Sequence, residues 1–140
     1  MRHAHDRPVQ AVVGRPLDLL FIGGLTQRRA EFFARAAPVF SRLRHFFHIP
    51  EVRGPLVTGK SAALTTEAAL ELSRRSKILL NVHQETSYFE WHRIVMHGIW
   101  QKTLVVSEPC FRVPGFKPGE HYLEYPLEQI PAAIDRLLGT

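Results

Sequence analysis

A single cysteine, Cys110, occurs in 140 residues, so no internal disulfide can form, and the chain suits a reducing, cytoplasmic setting. Apolar runs are short, and none approaches the roughly 20 residues that a membrane-spanning helix needs. The opening stretch "MRHAHDRPVQ" is basic but lacks the apolar core of a secretory signal, so export is not expected. Internal repeats and low-complexity tracts are absent. Also missing is a basic stripe interleaved with aromatics. Arginine and lysine gather only locally, at Arg28-Arg29, Arg42–Arg44 and Arg74–Lys77. That scatter argues against a nucleic-acid-binding surface.

What is present fits one globular domain. Apolar residues make up 45% and charged residues 22%, which is neither disordered nor membrane composition. The length allows one domain with a real core and leaves no room for two ordinary ones. A formal charge of +5 with eight further histidines points to an anionic partner, a phosphorylated small molecule or a membrane surface.

Residues 1–16, rich in Arg, His and Pro, read as a flexible lead-in, and 17–140 as the domain. "LDLLFIGGL" (17–25) is a nearly continuous apolar strand closed by Gly23-Gly24, the pattern of a strand buried on both faces. A helix follows with Thr26 as its N-cap. "LRHFFHI" (43–49) is a second strand, 65–75 a helix capped by Thr65 or Thr66, and "KILLNVH" (77–83) the next strong strand. A helix over 88–101, strands at 103–108 and 121–125, and a helix over 127–138 complete the order. Pro131 fits the last helix only in its first turns, where a missing N–H costs nothing. Strands alternating with helices predict an α/β domain, a Rossmann-like doubly wound parallel sheet. Ligands of such sheets bind outside the carboxyl ends of the strands. There the chain offers "GGLTQRR", "NVHQETSYFE" and "SEPCFRVPGFKPGEHY".

Residues Gly54–Ser61, "GPLVTGKS", match the phosphate-loop pattern G-x-x-x-x-G-K-[ST]. A working loop also needs a buried strand running into its first glycine and a helix opening at its lysine. Pro50, Glu51 and Arg53 interrupt the upstream apolar run, and the best helix cap lies beyond, at Thr65 or Thr66. A surface loop is expected here, and a phosphate-loop nucleotide hydrolase is the lesser alternative. Histidines and carboxylates show no tight ligand spacing, so no metal is expected.

The segments "SKILLNVHQ", "TLVVSEP", "FKPGEHYLEY" and "PLEQIPAAIDRLL", with a helix ending in Gly98 between the first two, follow in a recognisable order. Together with the opening "DLLFIGGLTQRR", they resemble the C-terminal, nucleotide-sugar-binding half of GT-B glycosyltransferases, in the family-1-like group that includes spore-maturation-type proteins. The similarity covers most of residues 17–138. It implies a metal-independent glycosyltransferase domain in polysaccharide or glycoconjugate biosynthesis, with a nucleotide-diphosphate sugar as substrate and no resident cofactor. It also implies a donor site built from Gly24, Thr26, Arg28, His83, Glu90, Arg93, Gly98 and Glu108. Arg28 or Arg29 would neutralise the diphosphate leaving group. The family's Arg-x-x-Glu helix pair stands here reversed, as Glu90 and Arg93. The Glu of that pair accepts from ribose hydroxyls. In this chain the role passes to Glu90, becomes donation by Arg93, or is lost.

The chain has room for only the donor half. The resemblance therefore implies a missing N-terminal acceptor domain or a partner chain, in the cytoplasm or peripherally at a membrane. A lone half with an exposed cleft is also a candidate for self-association. The alternative from another class is a non-catalytic binding or interaction module on the same α/β scaffold.

Overall fold

The computed structural model describes residues 14–50, 64–84 and 91–139. Five strands form one all-parallel sheet: β1 (Leu17–Ile22), β2 (His45–His48), β3 (Ser76–Asn81), β4 (Leu104–Ser107) and β5 (Leu123–Glu124). Their spatial order is β2-β1-β3-β4-β5. Helix α1 (Gln27–Phe40) links β1 to β2, and α2 (Thr66–Arg74) leads into β3. A π-helical turn (Arg93–Gly98), continued by a 3-10 turn (Ile99–Gln101), leads into β4. Helix α3 (Ile130–Leu138) closes the chain. The expected Rossmann-like α/β domain is the observed one.

Alternation along the strands explains the double winding. Leu19, Phe21, Ile78, Leu80, Leu104 and Val106 face one side and pack with Phe32, Phe40, Ile130 and Ile134 of α1 and α3. Leu20, Ile22, Leu79 and Val105 face the other and pack with Ala69 of α2 and Ile94 and Val95 of the π-turn. With apolar residues wanted on both faces, the strands read as unbroken apolar runs. Burying one such side chain fully contributes roughly 1.5–3 kcal/mol. The first face is aromatic: Phe33 stands 5.0 Å from Phe21 and 4.9 Å from Phe47 between ring centroids.

Local signals set the ends of the elements. Thr26 Oγ1 accepts the Arg29 N–H at 3.2 Å, and Thr65 Oγ1 accepts the Ala68 N–H at 3.1 Å. Each hydroxyl satisfies an amide that the helix leaves unbonded. Pro131 lies in the first turn of α3, and Gly139, at φ 72°, ends it in the left-handed conformation that glycine adopts without strain. Helix α2 opens at Thr66, not at Lys60. Residues Gly54–Ser61 themselves lie outside the described part.

Two features depart from the expected layout. The chain at 93–98, within the expected helix, is a π-turn, and it turns Ile94 and Val95 inward. Residues 14–16 belong to the expected flexible lead-in, yet Arg15 is bonded into the domain. Its guanidinium donates to Thr103 Oγ1 at 2.7 Å and to the carbonyls of Ser73, Ser76, Gln101 and Lys102 at 3.0–3.2 Å. It thereby ties the ends of α2 and the 3-10 turn to the starts of β3 and β4. Residues 1–13 lie outside the described part.

Asp18 makes a second tie at the same, amino-terminal end of the strands. Its carboxylate accepts Lys77 Nζ at 3.0 Å, the Arg44 backbone N–H at 3.0 Å and an Arg44 guanidinium nitrogen at 3.3 Å. Burial opposes ionisation of Asp18, but these three donors outweigh it and hold the carboxyl below its ordinary 3.8. The folded chain thus favours the ionised form, which stabilises it above the unfolded value. That contribution drains away as pH falls through the lower folded value. Asp18→Asn is expected to flatten the loss of stability below about pH 4, read by urea midpoints across a pH series. An unchanged acid limb in the variant would show that Asp18 contributes nothing to it.

Candidate functional site

Helix α1 leaves β1 toward one face of the sheet, while the chain leaving β3 reaches the π-turn on the other face. The strand order reverses between these two neighbours, and the crevice that such a switch point defines lies outside their carboxyl ends. Three loops meet at it: Gly23–Thr26 after β1, Val82–Gln84 after β3, and Glu108–Cys110 after β4.

The crevice is organised by an ion pair. One Arg28 guanidinium nitrogen donates to Glu108 Oε2 at 2.7 Å and to the His83 carbonyl at 3.1 Å. The other meets Glu108 Oε1, completing a bidentate pair. Glu108 Oε2 also accepts the His83 backbone N–H at 2.8 Å. The carboxylate is buried, at 2% exposure, whereas the Arg28 side chain keeps 22%. The arginine side chain thus keeps solvent access that the glutamate lacks. His83 is itself buried, and its Nε2–H donates to the Pro109 carbonyl at 2.9 Å, joining the β3 and β4 loops. Beneath them, Asn81 Nδ2 donates to Ser107 Oγ at 3.0 Å, and that hydroxyl donates to the Glu108 carbonyl at 2.7 Å.

Of the neighbouring arginines, only Arg28 faces the crevice in this way. Arg29 is 5% exposed and works as a clamp. Its Nε and one terminal nitrogen donate to the Val82 carbonyl at 3.1 and 2.9 Å, and the other to the Gly24 carbonyl at 2.9 Å. The guanidinium also lies 5.3 Å from the Phe21 ring centroid. Gly23 makes room for this clamp, since a Cβ there would stand 2.9 Å from both the Arg29 guanidinium and the Phe21 ring. Neither role is visible in spacing alone. That Gly23 and Arg29 open and close "GGLTQRR" is the one signal the sequence holds.

The structure thus brings together Gly24, Thr26, Arg28, His83 and Glu108. Gly98 is elsewhere: its carbonyl accepts the Thr103 N–H at 3.0 Å, beside the amino end of β4, and its backbone presses on Val105. Arg93 opens the π-turn on the second face. Glu90 lies outside the described residues, and with it the reversed Glu90/Arg93 pair. Among the described residues, no group of three or more His, Cys, Asp or Glu is placed to hold a metal ion. No helix among them is long and apolar enough to cross a membrane.

Electrostatically the crevice suits an anion. The N-terminus of α1, a helix of 14 residues, opens at the same place and supplies partial positive charge there, while the charge of Arg28 is balanced by Glu108. Glu108 fixes the plane of the guanidinium in advance, so little side-chain entropy is lost on binding. No family profile, curated protein or solved structure matches this chain.

Proposed function

We propose that the chain is the donor half of a GT-B glycosyltransferase, binding a nucleotide-diphosphate sugar at the crevice between β1 and β3. The carrying observation is that "TQRR", "LLNVH" and "VVSE", far apart in sequence, meet in the Arg28–Glu108–His83 group. Arg28 would bind the diphosphate and stabilise negative charge as it leaves. Glu108 is its positioning residue. Acceptor and catalytic base would come from a second domain or partner chain.

One observation favours a module that binds without transfer. Arg93 stands where the resemblance expects an acid, and an arginine cannot accept a bond from a ribose hydroxyl. A thermal-shift panel of UDP, GDP, ADP, ATP with Mg²⁺ and common nucleotide sugars tests both readings. Binding to the native state raises the melting temperature by mass action. The donor reading expects a shift with one nucleoside diphosphate and its sugars, unchanged by EDTA. A shift with ATP and Mg²⁺ alone would overturn it. Binding of a nucleotide sugar with no slow hydrolysis over days would favour the binding module.

A further inference from the structure

Beyond β4 the chain does not run straight into β5. Phe116 N–H bonds back to the Val113 carbonyl at 3.2 Å, and Gly119 N–H to the Tyr122 carbonyl at 2.7 Å. These two tight turns wall a cleft of about 460 Å³ between residues 110 and 124, a volume usual for a small-molecule site.

The lining has three chemistries. Phe116, packed on the second core cluster, and Tyr122, buried at 2% exposure, give apolar aromatic walls. Arg112 and Lys117 are cations, and among the described residues neither has a carboxylate partner. Glu124 is the one acid of the lining. Its Oε1 accepts both the Tyr122 hydroxyl and the Cys110 N–H at 2.9 Å. Among the described residues nothing donates to its Oε2. Burial, and then the Glu124 carboxylate, hold the Tyr122 phenol above its ordinary value, so it stays a donor. His121 Nδ1 accepts the Lys117 N–H at 2.9 Å, which leaves the ring proton on Nε2 as a further donor.

We propose that this cleft is a second small-molecule site, taking a planar ring that carries an anionic group and an N–H or O–H donor. The ring lies against Phe116 and Tyr122, the anion meets Arg112, Lys117 and His121, and the donor reaches Glu124 Oε2. Two cations against one carboxylate favour an anion overall. The single acceptor selects a ring that can donate. The cleft meets the proposed donor crevice at Cys110 but presents its own cations and carboxylate, and either site can fail alone.

The test is a ¹H–¹⁵N correlation titration of the full chain with 4-aminophenyl phosphate, with inorganic phosphate and aniline as partial probes. The expected result is saturable movement of amides within 110–124 by 4-aminophenyl phosphate. Each partial probe should bind at least tenfold more weakly, and the double variant Arg112→Ala, Lys117→Ala should weaken the full probe at least tenfold. Both residues are exposed, so the fold should survive. Equal binding of all three probes, indifference to the double variant, or movement confined to 24–29 and 82–84 would overturn the proposal. The last result would place the anion in the crevice instead.

Discussion

Gly98→Ala is expected to destabilise the domain by about 3 kcal/mol, although glycine-to-alanine changes in a helix ordinarily stabilise. An ideal Cβ at this position would stand 2.0 Å from Val105 Cγ2 and 3.5 Å from Leu79 Cδ2. Helix propensity offers at most about 1 kcal/mol in favour of alanine. The clash outweighs it, because Val105 lies in the inner strand β4, between β3 and β5, at 0% exposure and has nowhere to retreat. Urea unfolding of Gly98→Ala, Val105→Ala and the pair measures the contact directly. Removing Cγ2 should relieve the clash, so the double variant should lose well under the sum of the single losses. A stabilised Gly98→Ala would show that the π-turn does not press on the sheet as described.

The second large effect lies at the crevice. Arg28→Ala would leave Glu108 buried at 2% exposure with its charge unbalanced, and the expected loss is about 3–5 kcal/mol. Most of that is the cost of stranding a carboxylate, not the worth of the pair. Arg28→Ala combined with Glu108→Gln should therefore recover part of the loss, since the amide is neutral. Chemical denaturation of the three proteins checks this. If Arg28→Ala unfolds within about 0.5 kcal/mol of the parent, the pair is a surface contact of small consequence.

The fold was legible where burial on both faces leaves an unbroken apolar run, as in "LDLLFI", "KILLN" and "TLVVS". Thr26, Thr65 and Pro131 marked helix starts through local chemistry and were equally readable. Long-range pairing was not. Arg28 and Glu108 are separated by 80 positions, and spacing cannot say that one plane of nitrogens will meet the other's oxygens. Arg15 looked like part of a polar lead-in because its acceptors are backbone carbonyls, which every sequence has. The π-turn escaped because its inward residues fit an α-helical stripe as well. At the candidate site, the resemblance named His83 and Glu108, in loops to which strand-end position pointed. It did not show that Glu108 is buried and serves Arg28, or that Arg29 is a clamp.

In the proposed donor half, Arg28, held by Glu108, would bind the diphosphate of a nucleotide sugar. Arg28→Lys keeps the charge beside Glu108 but removes the bidentate fork. Calorimetric titration of the parent and this variant with UDP and GDP, in EDTA, is the direct measurement. Saturable, metal-independent binding of one of them to the parent is expected, and at least tenfold weaker binding to a folded Arg28→Lys. Binding unchanged by the substitution, or no binding of either nucleotide to the folded parent, would contradict it.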